Sequence, residues 1–168
     1  MDLSATPGHV PGFPLTMNLR ELGGWPAADG AHVRHGLVYR GGPLVGLSAS
    51  ERELVDGFGL RHIVDLRAEG EAQSGGEDYV PSGCDHVRIG GMVDEQGVEV
   101  DFSPRGIERI QAQIMASGDP DAFMRGLYTS MLFGNRAMHK VMELMVAGDG
   151  PLYLHCTAGK EEIGRAHV

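Results

Sequence analysis

One short stretch of this chain has the residue types and spacing to do chemistry: His155-Cys156-Thr157-Ala158-Gly159-Lys160. It follows an apolar run, Leu152 to Leu154, that predicts a short buried strand. A thiol at the carboxyl end of a parallel strand stands where open α/β sheets place their ligands. Small residues after it let backbone N–H groups turn inward and form a nest for an anion. A helix starting there would add the field of its N-terminus. Such surroundings lower a cysteine pKa from about 8.5 to roughly 3.5–7.5. The chemistry would be attack by a thiolate on a phosphate-like group. The alternative is an inert cysteine packed as a small apolar residue. Nucleotide binding of the P-loop type does not fit. That motif needs glycine where Leu154 stands and Ser or Thr where Glu161 stands.

Asp65 interrupts the apolar residues Ile63, Val64 and Leu66. A carboxylate inside an apolar strand needs a partner or a task. One task is structural, a hydrogen bond to loop amides or to Arg67. The other is catalytic, orienting the active-site arginine or loop. Arg40, at the end of another strand, reads from sequence alone as a solvated charge. Cys84 sits beside Pro81 and Gly83 with nothing to activate it. Asp94, Glu95, Glu99 and Asp101 lie on a loop from Gly90 to Pro104. Each could act as an acid, and each also fits a solvated face.

Elements to position these residues follow from local pattern. Residues 1 to 15 carry Pro7, Pro11 and Pro14 and read as an extended arm. Asn18 to Leu22 reads as a short strand ending at Gly23-Gly24, and Ala31 to Gly42 as a hairpin or paired strand. Ser48-Ala49-Ser50-Glu51 has capping-box spacing and starts a helix over about 49 to 57. Leu60 to Leu66 is the clearest interior strand. Residues 68 to 84 read as a polar surface loop holding one helical turn, and His86 to Ile89 as a further strand. From Pro104 to Ala147 the period is helical. Ile107, Ile110 and Ile114 share one face, and Asp119 or Asp121 caps a second helix. Asn135 caps a third, with Met138, Val141, Met142 and Met145 expected inward as core packing. Strands separated by helices predict an α/β fold.

The chain has 168 residues, 14 basic and 23 acidic, a net charge of −9 and 42% hydrophobic residues. The length predicts one domain. The acidic balance argues against nucleic acid as a partner. No apolar run is long enough for a membrane span, and the first residues lack the features of a signal peptide. Two cysteines, Cys84 and Cys156, make no disulfide framework. The expectation is a cytoplasmic protein, with signal-less secretion left open and oligomeric state unread.

Residues 155–160 resemble the signature of the cysteine-dependent tyrosine phosphatases. They are most similar to the bacterial group whose loop reads His-Cys-x-Ala-Gly-Lys-Asp-Arg-Thr-Gly. Three upstream segments resemble the same group in the same order: Asn18-Leu19-Arg20-Glu21-Leu22-Gly23-Gly24, Val38-Tyr39-Arg40-Gly41-Gly42 and Ile63-Val64-Asp65-Leu66-Arg67. The resemblance implies a mainly parallel sheet flanked by helices, incomplete at the C-terminus. It implies phosphomonoester hydrolysis through a phosphocysteine, with a phosphorylated protein or a phosphoinositide as substrate and no metal or cofactor. Cys156 would be the nucleophile. Glu161 takes the place of the loop aspartate that serves as acid, and Asp65 completes the catalytic candidates. His155, Thr157, Ala158, Gly159 and Lys160, with Arg40 and Arg67, would hold the phosphate.

One departure is severe. The signature requires arginine six residues after the cysteine, and Glu162 stands there. Arg165 is too far along to replace it. The codons GAG-ATC-GGA-AGA-GCA-CAC-GTC would encode residues 162–168, and that string resembles a common sequencing-library adaptor. The expectation is a partial phosphatase-like domain over 1–161 and a non-native tail over 162–168, hence an inactive chain. Two alternatives stand beside this: a non-catalytic phosphate-binding pseudophosphatase, in which Glu162 is genuine, and a rhodanese-like sulfur transferase. The latter accounts for Cys156 but not for the two earliest segments.

Overall fold

Three short runs, Val38–Gly41, His62–Asp65 and Leu152–His155, form the centre of a five-stranded sheet. The computed structural model describes residues 8–13, 17–94, 96–132 and 135–159, without the side chains of Met131 and Leu132. The strands are β1 (Arg20–Glu21), β2 (Val38–Gly41), β3 (His62–Asp65), β4 (Asp85–Arg88) and β5 (Leu152–His155). Their order across the sheet is β1-β2-β5-β3-β4. β1 runs antiparallel to β2; every other pairing is parallel. The helices are α1 (Ala49–Gly57), α2 (Glu69–Gly75), α3 (Pro104–Ser117), α4 (Pro120–Leu132) and α5 (Arg136–Ala147). The expected α/β class and mainly parallel sheet are what the chain forms.

Alternation along the strands divides the core in two. On one face Tyr39, Ile63 and Tyr153 join Leu19, Leu44, Val55 and Leu60 under α1. Tyr39 stacks on Phe58 with ring centroids 4.5 Å apart. On the other face Val64, Leu66, Leu152, Leu154 and Cys156 pack with Ala137 and Val141 of α5. The register places Asp65 beside His155 and Arg40 beside Leu154. Asp65 and His155 therefore belong to the α1 side, and Arg40 shares the α5 side with Cys156.

Local signals set the helix ends. Ser48 and Glu51 form the expected capping box at α1. Asp119 accepts from Ala122 N at 2.9 Å at the start of α4. Asn135 Oδ1 accepts from Ala137 N and Met138 N, while its Nδ2 donates to Gly91 O at 2.9 Å. This cap also ties α5 to the loop that follows β4.

Three expectations need correction. Met142 and Met145 are 58% and 43% exposed. The buried stripe of α5 runs through Ala137, Met138, Val141 and Leu144 instead, a three-to-four-residue spacing that turns the other two methionines outward. Val33 lies outside the sheet and pairs its backbone with Gly24 and Trp25. Residues 69–75 form two turns of helix, and Asp78, read with a surface loop, has a fully buried side chain.

The core division can be checked by denaturant unfolding. Ile63→Ala removes a fully buried side chain at the sheet centre and is expected to cost about 2–5 kcal/mol. Met142→Ala should stay within about 0.5 kcal/mol of the parent.

Candidate active site

β5 delivers the cysteine. Pairing with β2 on one side and β3 on the other fixes residues 152–155, so the chain leaves the sheet at a defined point. Cys156 is 9% exposed and borders a cavity of about 230 Å³. Thr157 and Ala158 continue that wall, while Glu71, Met92 and Phe102 supply others. The Gly159 N–H donates to Cys156 Sγ at 3.2 Å. A bond of this kind favours the thiolate over the thiol. Gly159 has φ of +61°, and a Cβ there would collide with the backbone of Gly41 and Gly42. Glycine is therefore needed both for its conformation and for the close approach.

The loop is anchored from outside. Asn18 Nδ2 donates to Gly159 O at 2.6 Å. Thr157 Oγ1 donates to Glu71 Oε1 at 2.5 Å, and Glu71 Oε2 accepts from Ala68 N at the start of α2. Tyr153 Oη donates to Gly42 O at 2.6 Å. Burial and the nearby Asp78 and Cys156 charges push the Tyr153 phenol far above its ordinary value, so it remains a donor.

Beneath the loop, on the α1 side, lies a buried ion lattice. Asp65 accepts from Arg67 Nε and Nη2 at 2.9 Å each and from Arg88 Nε at 2.8 Å. Arg67 Nη2 also donates to Asp78 Oδ2 at 2.6 Å, and its Nη1 donates to Gly76 O. Burial by itself would raise the Asp65 pKa, but the Arg67 and Arg88 hydrogen bonds and the His155 charge hold it below the usual carboxylate range. For Asp78, burial is likewise outweighed, by His155, His86 and Arg67, and the carboxyl is held well below its usual range. His155 Nε2 approaches Asp78 Oδ2 to 3.2 Å and Nδ1 approaches Asp65 Oδ1 to 3.7 Å, without aligned hydrogen-bond geometry. Asp65, Asp78, His86 and His155 bring ligand-type atoms within 4.8 Å of one another. Both carboxylates already accept from guanidiniums, Asp65 from Arg67 and Arg88 and Asp78 from Arg67, and Arg88 also donates to Glu69 and Glu77.

The named site residues thus fall into groups. Cys156, Thr157 and Ala158 line the cavity, and Gly159 is joined to them through its N–H on Cys156 Sγ. Arg40 lies one strand away on the same side, and among the described residues its guanidinium has no hydrogen-bond partner. Asp65, Arg67 and His155 are gathered with one another, at 0%, 1% and 2% exposure, behind the loop. Lys160, Glu161, Glu162 and Arg165 lie outside the described residues, as does Glu95. Of the other loop carboxylates, Asp94 accepts from Gln96 N and Val98 N. Glu99 accepts from Gly90 N. Asp101 accepts from Ser103 N and Oγ. Asn18, Glu71, Asp78 and Arg88 were not singled out from sequence. Asn18 alone had a signal, its place at the head of the first resembling segment.

A mainly parallel sheet flanked by helices, with a thiol on a tight turn at the carboxyl end of its central strand, is consistent with a phosphatase fold. The family model for tyrosine phosphatases matches residues 12–167, and the chain belongs to that family. It is 31% identical over 159 residues to a Cupriavidus necator protein provisionally named a tyrosine-protein phosphatase, covering 94% of this chain and 55% of that protein. It is 28% identical over 169 residues to the triple specificity protein phosphatase PtpB of Mycobacterium tuberculosis, covering 88% of this chain and 61% of PtpB. The chain spans rather more than half the length of these curated relatives. No helix among the described residues is long and apolar enough to cross a membrane.

The ion lattice carries a stability prediction. A carboxyl whose folded pKa is depressed contributes stability that is present above its unfolded value, about 3.9, and is lost as pH falls through the folded value. Asp78→Asn leaves Arg67 short of a buried counter-charge and should cost about 3 kcal/mol at pH 7. In urea unfolding measured from pH 7 to pH 2.5, the gap to the parent should narrow once the pH drops below about 4.

Proposed function

We propose that the domain hydrolyses phosphomonoesters through a phosphocysteine intermediate, with phosphorylated protein or phosphoinositide as substrate. The observation that carries this is the Gly159 N–H on Cys156 Sγ at the edge of a cavity beyond β5. The thiolate attacks phosphorus in line, forming the S–P bond as the bond to the leaving oxygen breaks. An acid gives that oxygen its proton; Glu161, placed where the family's loop aspartate stands, is assigned this role. The conjugate base then takes a proton from water. The water oxygen bonds to phosphorus, the S–P bond breaks, and phosphate and thiolate are released. Thr157, Ala158, Gly159 and Lys160 supply amides and charge for the phosphoryl oxygens. Arg40 is a candidate for further positive charge on the same side. Asp65, Arg67 and His155 act from behind the loop, as supports rather than as substrate contacts.

With Glu162 where the family has arginine, the chain as written is assigned little turnover. An arginine grips two phosphoryl oxygens with a fork, and losing even one oxyanion donor costs roughly 10²–10³ in rate. We propose further that residues 162–168 are not native, which the genomic reading frame beyond codon 160 tests directly. A chain restored to that frame should hydrolyse p-nitrophenyl phosphate, lose this in Cys156→Ser, and be inhibited by vanadate. The 168-residue chain should be slower by at least about 10². Equal, Cys156-dependent rates from both chains would overturn the role given to the missing arginine. A restored chain that transfers sulfur from thiosulfate and leaves the ester intact would overturn the hydrolase reading.

A further inference from the structure

We propose that Asn18 is a positioning residue for the nucleophile, holding Gly159 so that its N–H stays on the Cys156 sulfur. This rests on Cys156 being the nucleophile. Asn18 is 141 residues from Gly159 in sequence, yet its Nδ2 donates to the Gly159 carbonyl at 2.6 Å. Gly159 is thus held at both ends of one residue: its N–H by the sulfur at 3.2 Å, its C=O by Asn18. A glycine at φ of +61° has little intrinsic preference for that state and can turn its peptide groups at low cost. The two hydrogen bonds together select one orientation. Without the Asn18 amide, the carbonyl is released and the N–H leaves the sulfur for part of the time. The thiolate then loses a donor that favours the charged form.

The surroundings are built for this contact. Asn18 takes φ of +49°, a region that asparagine tolerates and most side chains avoid. Its neighbour Met17 accepts from Gly42 N at 2.6 Å, and Gly42 O accepts from Tyr153 Oη at 2.6 Å. Gly41 and Gly42 present bare backbone to Gly159. Residues 17–18, 41–42 and 159 therefore form one small cradle. It joins three segments distant in sequence, and Asn18 is the member whose side chain grips the loop.

The test is the pH profile of Cys156 alkylation by iodoacetamide in the 168-residue chain, which needs no turnover. Burial and the neighbouring Asp85 push the Cys84 thiol up to about 11, outside the range of interest. Asn18→Gly keeps the backbone conformation and deletes the donor. Asn18→Asp keeps the size and replaces the donor with an acceptor. Both should move the alkylation midpoint upward by about one pH unit relative to the parent, with an unchanged circular dichroism spectrum. If one variant fails to fold, the other carries the test. Midpoints within 0.2 unit of a low parent value (a threshold of roughly experimental error) would overturn the role of Asn18 and leave the nucleophile standing. A shift confined to Asn18→Asp that vanishes in about 0.5 M salt would be a charge effect and would also overturn it. A parent midpoint at the ordinary thiol value would overturn the nucleophile and this inference together.

Discussion

The carboxylate of Asp65 has no exposed surface and sits at the carboxyl end of β3, in register with His155, the last residue of β5. Burying such a charge is costly unless it is paired and hydrogen-bonded. Two guanidiniums and a backbone N–H satisfy it, and one of those guanidiniums is shared with Asp78. The result is a set of fixed charges under the point where the chain turns into the cysteine loop. The loop's geometry depends on this floor, because Leu66 N donates to His155 O at 2.8 Å immediately above it. Loss of the lattice would loosen both strand ends at once.

The site is accordingly built in two layers with different duties. The upper layer is Cys156 to Gly159, with a cavity beside Cys156, Thr157 and Ala158. The lower layer is Asp65, Arg67, Asp78, Arg88 and His155, where buried carboxylates are met by guanidiniums. Strand alternation separates them: Cys156 falls on the α5 side, and Asp65 with His155 on the α1 side. Residues next to each other in sequence can therefore serve different layers. His155 and Cys156 are the plainest case.

Much of the fold was legible in the sequence. The strand positions, the Ser48 box and the Asn135 cap all followed from local chemistry and periodicity. The strand and the turn after it were legible from the apolar run Leu152 to Leu154 followed by small residues, whereas the reading of that turn as a phosphate loop came from the family resemblance. Other features depended on contacts between distant segments. Asp78 lies among Glu77, Gly75 and Gly76, a composition that reads as solvent-exposed; only the arrival of Arg67 makes it interior. Glu71 looks like one more acid of a polar helix until α2 is set against Thr157. Arg67 could be assigned to phosphate from its motif alone, but its donors are taken by Asp65, Asp78 and Gly76. The outward turn of Met142 and Met145 reflects a helix rotation that similar apolar residues on neighbouring positions could not reveal.

The strand order has a bearing on how the chain assembles. β2 and β3 share no backbone pairing; β5, the last of the five strands among the described residues, lies between them. Until it inserts, two parallel edges stay open, each offering a row of unsatisfied amides and carbonyls. Closure must wait for a partner roughly ninety residues downstream of β3, and such non-local pairing is slow. During synthesis the two half-sheets would be exposed to capture by other chains. The segment that carries Cys156 is thus also the keystone of the described sheet, and the turn after it takes its place in the same event that joins β2 to β3.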